Sequence, residues 1–201
     1  MKRTIDKPYG TYSVYTAASS GIFAKCPQCH GRGIVTSNIT TACFKCTNCN
    51  HSITKDRTLY RYDVHNQCQQ CGQYYRVDIT EQRKQHFPMV YAACPHCGFL
   101  MPGYIHKTAK ALYSIGEIKN GCEPFFGYEL WFLSAFRGKP IWALNREHLA
   151  YLIDYLSADL RENPVNFYQM KTQADHLPAF MKSAKNRKGI VKQLRRMLVF
   201  A

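Results

Sequence analysis

Residues 26–49 read CPQCHGRGIVTSNITTACFKCTNC, and residues 68–97 read CQQCGQYYRVDITEQRKQHFPMVYAACPHC. Each stretch opens and closes on a Cys-x-x-Cys pair: Cys26/Cys29 and Cys46/Cys49 in the first, Cys68/Cys71 and Cys94/Cys97 in the second. Two residues between cysteines permit a tight turn that aims both sulfurs at one ion. Two such turns on facing hairpins supply the four thiolates of a tetrahedral zinc site. Gly72 and Gly98 directly follow the closing cysteine of their pairs, where a left-handed residue is often needed. Asn50 holds that place in the second turn, and Asn tolerates the conformation. The first turn continues with His30 and Gly31, and Pro27 and Pro95 follow the leading cysteines of theirs.

The pairing of the turns follows from proximity along the chain. Joining first to second leaves 16 residues between them, and third to fourth leaves 22. A nested arrangement, second with third and first with fourth, is the alternative. The sequential one is favoured because neighbouring segments usually pack together. Cys43 forms an overlapping Cys-x-x-Cys pair with Cys46. With Phe44 on a strand two residues before the knuckle, Cys46/Cys49 is the expected ligand pair and Cys43 packs as a small hydrophobe. Cys122 is isolated and reads as a structural thiol. His30, His51 and His96 adjoin knuckles, but four thiolates per site leave them no ligand role to fill.

Residues 22–103 thus resemble the zinc ribbons of transcription factors and RNA-polymerase subunits, short β hairpins carrying CPxC(G) knuckles. The resemblance implies two structural Zn2+ ions and two small β ribbons, over residues 22–64 and 65–103. It implies no particular function, because ribbons of this type bind DNA, RNA or proteins, or only brace a neighbouring domain.

The expected fold class is α+β: the two ribbons, preceded by an arm or strand at residues 1–21 and followed by a mainly helical domain at 104–201. Thr11–Thr16 alternates tyrosine and valine with smaller residues, as a strand would. Gly33–Thr41, Ser52–Val64 and Tyr74–Ile79 are rich in Thr, Ile, Val and Tyr and read as strands. Lys107–Lys119 reads as a short helix interrupted at Gly116, and Glu129–Phe136 (ELWFLSAF) is apolar and fits helix or strand. The clearest helix starts at Asn145, a good N-cap. It carries Leu149, Leu152, Ile153, Leu156 and Leu160 on one face, reaches Arg161, and stops at Asn163–Pro164. Ala179–Val199 reads as a last helical region with a break near Gly189.

Charge locates the partner. The 201 residues carry a formal net charge of +14. Residues 1–101 hold 12 basic and 5 acidic residues, 102–178 hold 8 of each, and 179–201 hold 7 basic and none acidic. An excess of this size suits a polyanion, nucleic acid above all. In the tail, Lys182, Lys185, Arg187, Lys188, Lys192, Arg195 and Arg196 surround an apolar stripe of Ile190, Val191, Leu194, Met197 and Leu198. The stripe is expected to pack on the helical domain with the charges toward phosphates; an anionic membrane surface or a merely solvated face would also suit a basic amphipathic helix. In the ribbons Arg57, Arg61 and Arg76 interleave with Tyr60, Tyr62, Tyr74 and Tyr75. Rings that stack on unpaired bases beside arginines that meet phosphates suit single strands; the same tyrosines would also serve as ribbon core.

No phosphate-binding glycine loop, nucleophile elbow, His-Glu metal motif or paired-carboxylate motif occurs, and a zinc with four thiolates leaves no position open for water. The expectation is therefore no enzyme, no small-molecule substrate and no membrane, but a nucleic-acid-binding accessory or regulatory protein, DNA or RNA. The alternative is a protein-interaction module, docking through the ribbons or the aromatic segment Phe125–Phe136. The opening MKRTIDKPYG has no apolar h-region, so no secretory signal is expected, and reduced, metal-ligating thiols suit the cytoplasm.

Overall fold

The computed structural model describes residues 1–110, 116–162 and 171–199. The chain divides into two compact units, Met1–Asp56 together with Ser114–Ala201, and Arg57–Tyr113. The architecture is mixed α/β, with small antiparallel sheets.

The first unit opens with β1 (Arg3–Ile5) and α1 (Val14–Ser20). This helix replaces the strand expected over Thr11–Thr16. The Ser13 hydroxyl accepts the N–H of Thr16 at 3.1 Å and so satisfies one free donor of the first turn, while Ala17 and Ala18 are buried on the inner side. Gly21, with φ of +108°, turns the chain into β2 (Ile22–Lys25). An antiparallel meander follows, β2, β3 (Arg32–Ser37), β4 (Thr41–Cys46) and β5 (Ser52–Asp56). Ile22, Ala24, Val35, Ala42 and Phe44 form its fully buried side. The other edge of β2 is bound by the later chain: Phe23 N donates to Leu144 O (2.7 Å), Lys25 N to Glu129 O (2.7 Å), and Trp131 N to Phe23 O (2.9 Å).

The second unit holds β6 (Leu59–Gln67), β7 (Tyr74–Asp78), β8 (Met89–Ala93), β9 (Leu100–Tyr104) and β10 (His106–Lys110). They form a three-stranded sheet in the order β10-β6-β7 and the hairpin β8-β9. Ser52–Val64, read as one strand, is two, β5 and β6, and they stand in different units. Residues 57–64, expected with the first ribbon, therefore belong to the second unit. Where a helix was expected from Lys107, strand β10 pairs with β6; residues 111–115 lie outside the described residues.

The remaining elements return to the first unit. β11 (Phe132–Phe136) and β12 (Lys139–Ala143) form a hairpin whose two-residue turn, Arg137 and Gly138, is left-handed at both positions (φ 51° and 75°). α2 (Arg146–Ser157) is capped as expected, Asn145 Oδ1 accepting the N–H of His148 at 3.0 Å. It ends before Arg161, because Arg161 folds back and donates to the free carbonyls of Tyr155, Leu156 and Ala158 (2.8, 3.2 and 2.9 Å). β13 (Leu160–Glu162) pairs in parallel with β1. The expected stop at Asn163–Pro164 lies outside the described residues.

α3 (Ala179–Lys182) and α4 (Ala184–Val199) finish the chain. The break falls at Ser183, not near Gly189, and α4 runs through that glycine. The ring of Phe136 lies against the helix there: a Cβ on Gly189 would stand 2.5 Å from its Cε2. The core of this part joins Leu149, Leu152 and Leu156 of α2, Ile190, Leu194 and Met197 of α4, and Phe132 and Ile141 of the hairpin. The region after residue 104, expected to be mainly helical, thus contains four strands among the described residues. No helix among them is long and apolar enough to cross a membrane.

Candidate metal centre and nucleic-acid interface

The eight knuckle cysteines gather into two groups, Cys26, Cys29, Cys46 and Cys49 in the first unit and Cys68, Cys71, Cys94 and Cys97 in the second. Within each, all sulfurs lie within 4.8 Å of one another. The shortest separations are Cys26–Cys49 at 3.8 Å, Cys29–Cys46 at 3.6 Å, Cys68–Cys97 at 3.6 Å and Cys71–Cys94 at 3.8 Å. Metal–sulfur bonds of about 2.3 Å in a tetrahedron set sulfur–sulfur edges of about 3.8 Å. Each donor set therefore fits one four-coordinate ion, and the groups could hold two structural metals. The sequential pairing of the turns is the one observed.

Local backbone chemistry makes the knuckles. In three of them the fourth residue after the leading cysteine donates back to that cysteine's carbonyl: His30 to Cys26 (2.9 Å), Gly72 to Cys68 and Gly98 to Cys94 (2.8 Å each). His30, Gly72 and Gly98 are left-handed there, with φ of 56°, 71° and 75°. The second knuckle turns differently, and Asn50 is not left-handed as expected. There the N–H groups of Asn48 and Cys49 both donate to Cys46 Sγ at 3.3 Å.

These donors shape the acidity of the thiols. Burial opposes ionisation of Cys46, but the two N–H groups outweigh it and draw the thiol down to about 6. Cys68 is drawn to about 6 by the N–H of Cys71 against burial, with help from Gln70. In Cys49 and Cys97 an N–H bond, from His51 and Phe99 respectively, favours the thiolate; burial and the adjacent sulfurs overcome it and push both up to about 12. Four sulfurs this close cannot all carry charge without a cation among them. A divalent metal bound there would supply it and displace the remaining protons.

Cys43 stands outside the first group and accepts from Thr54 Oγ1 at 3.7 Å; Cys122 lies near the Asn120 carbonyl at 3.9 Å. No histidine joins either group. No family model matches the chain, and no curated protein or solved structure is similar to it. Besides these side chains the protein carries a basic surface.

That surface is concentrated on α4. Its apolar stripe is buried as expected, and its charged side borders an open cleft of about 800 Å3. Arg187, Lys188, Lys192, Arg195 and Arg196 line it, with Leu156, Ala158 and Val191 among the apolar lining and Asp159 the one acidic group among the described residues. Lys182 and Lys185 are not part of the lining. Arg187 is fixed by donation from Nε to the Lys182 carbonyl at 3.0 Å. Burial, and then the like charge of Arg187, lower the guanidinium of Arg161. Cations crowded in this way are relieved by an anion.

The ribbon arginines are engaged differently. Arg61 Nη2 reaches Asp78 Oδ1 at 2.6 Å, and Arg76 Nη2 reaches Asp63 Oδ2 at 2.7 Å. Each guanidinium has an acid beside it, which lowers its worth as a phosphate ligand. Arg57 begins the second unit. The tyrosines also separate. Tyr75 is core, Tyr60 lies under Lys107 Nζ at 3.9 Å, and Tyr74 is exposed.

Two features were not anticipated. Phe125, Leu130 and Phe132, from the segment considered for docking, are buried and cannot serve as a surface. Conversely, the outer face of β8-β9 pairs Met89 with Tyr104, Tyr91 with Pro102 and Ala93 with Leu100, all exposed and none charged. The sequence signal was a period of two in MVYAA and LMPGY, masked because the inward residues are apolar too.

Proposed function

We propose that this chain is a nucleic-acid-binding accessory or regulatory protein whose two ribbons are held by structural zinc. The observation that carries the reading is the α4 cleft, where the described residues place five cations against one acidic group. Zinc is favoured over other metals because four thiolates in tetrahedral array are its usual structural environment. The ribbons stabilise small sheets that have little core of their own, and α4 neutralises phosphates. A reducing compartment such as the cytoplasm suits the free thiols.

The test is affinity for a 20-nucleotide strand and a 20-base-pair duplex between 50 and 200 mM salt. Contact with several phosphates makes log affinity fall by about 0.7–0.9 per phosphate per decade of salt. Joint change of Lys188→Glu, Lys192→Glu and Arg195→Glu is expected to weaken binding at least about tenfold with zinc content intact. A flat salt response, or unchanged affinity in the triple variant, refutes the reading.

A protein-docking role is favoured by one observation, the uncharged outer face of β8-β9. Aromatic and Met-rich faces without charge have the composition of interface centres. A partner that co-purifies after nuclease treatment, and is lost in Tyr91→Glu with Tyr104→Glu, supports it; none at all removes it.

A further inference from the structure

On the far side of α4 from the basic cleft lies a second depression, of about 420 Å3. Trp131, Leu133 and Met197 give it apolar walls, Ser134 and Gln193 give it hydrogen-bonding groups, and Arg196 lines it. Arg196 also lines the basic cleft, so the two depressions meet across one side chain. Lys25, also in its lining, is paired with Glu129, and Arg196, whose Nη1 donates to Gln193 Oε1 at 3.5 Å, is the cation that lines both.

We infer that the ligand of α4 is single-stranded nucleic acid, and that the Trp131 depression receives one unstacked base. The inference rests on the nucleic-acid reading above and adds the class of strand. The chemistry differs on the two sides of the helix. Among the described residues the cleft offers charge and no aromatic ring, as a sugar-phosphate backbone requires. The depression offers an indole, aliphatic walls and two side chains that can both donate and accept, as a base edge requires. A strand crossing α4 at Arg196 presents its phosphates to Lys188, Lys192 and Arg195 and turns a base toward Trp131. A duplex keeps its bases stacked inside and reaches only the cleft.

The experiment is fluorescence anisotropy of the zinc-loaded full chain with labelled 20-mers of oligothymidylate and oligouridylate, and with a 20-base-pair duplex, at one fixed salt concentration. Both single strands are expected to bind about tenfold more tightly than the duplex, the size of one base–aromatic contact. Trp131→Ala is expected to lower single-strand affinity about tenfold and leave the duplex unchanged. Ser134→Leu adds bulk to the depression and leaves Trp131 in the chain, so it decides the matter if Trp131→Ala fails to fold. Its expected effect is the same. Tighter binding of only one of the two strands keeps the inference, and oligodeoxyuridylate, which shares its base with one and its sugar with the other, then assigns the sugar or the methyl group. If both variants retain single-strand affinity within twofold while Lys188→Glu/Lys192→Glu/Arg195→Glu weakens it, the base site is overturned and the cleft reading stands. If the triple variant binds normally, the cleft reading itself has failed.

Discussion

The ring of Phe44 occupies the space in which a side chain on Gly33 would stand: a Cβ there would overlap its Cε2 and Cζ and lie 3.2 Å from the Lys45 carbonyl. Gly33 is the register partner of Cys46, and Phe44 is fully buried. Gly33→Ala therefore drives an aromatic ring out of a closed core beside a metal ligand. Overpacking of this kind costs about 1–3 kcal/mol. Thermal unfolding is expected to show the loss together with weaker metal retention at the first centre, and an unshifted second centre.

Asp63 is fully buried and holds Arg76 at 2.7 Å and His65 Nδ1 at 2.8 Å. The hydrogen bond from Arg76, opposed by burial and helped by His65, keeps its carboxyl at about 2, so it stays ionised through the neutral range. Asp63→Asn leaves Arg76 without its anion. The expected result is a melting point of the second unit lower by several degrees. Calorimetry that shows no change there counts against a structural role for the pair.

His148 is buried with its Nδ1 accepting the Leu144 N–H at 3.3 Å and its Nε2 without a hydrogen-bond partner. Burial lowers its imidazole to about 4 from the ordinary 6.5. The folded protein thus binds fewer protons than the unfolded chain between those values. Stability is fully present above about 6.5 and is lost as pH falls toward 4. Between pH 7 and 5.5 the loss is about 1 kcal/mol. Urea denaturation at the two pH values should show it in the native chain and not in His148→Gln, with zinc content followed in parallel.

The two centres differ in access. Cys71 and Cys97 are exposed, whereas every ligand of the first group is buried or half-buried. Chelator or mild peroxide is expected to release two equivalents of metal in two phases, the second centre first. Cys71→Ser removes the fast phase and Cys29→Ser the slow one. Cys43→Ala and Cys122→Ala retain both equivalents. Elemental analysis of each variant checks the assignment.

The ligand groups were legible because Cys-x-x-Cys geometry is local: two intervening residues fix both sulfurs whatever surrounds them. α2 was legible for a similar reason, with Asn145 capping its start and Leu149, Leu152, Ile153 and Leu156 marking its face. What the sequence hid depended on distant partners. Arg61 and Arg76 looked like phosphate ligands until the register brought Asp78 and Asp63 to them. The tail was legible as an amphipathic helix, yet which of its cations share a cleft depended on the end of α2. The helix at Val14 was hidden in the sequence by a strand-like tyrosine alternation, although Ser13 three residues before Thr16 carried the capping signal. Glu123, buried with its carboxylate accepting the N–H groups of Phe125, Phe126 and Tyr128, orders a loop that no local pattern announced.

Leu59 and Lys110 are register partners on β6 and β10, so the second unit starts and finishes at one place in its own sheet. Each unit also carries its own complete set of four cysteines. A segment closed on itself in this way behaves as a cassette. Over evolutionary time it can be acquired, exchanged or deleted at a single point in the gene.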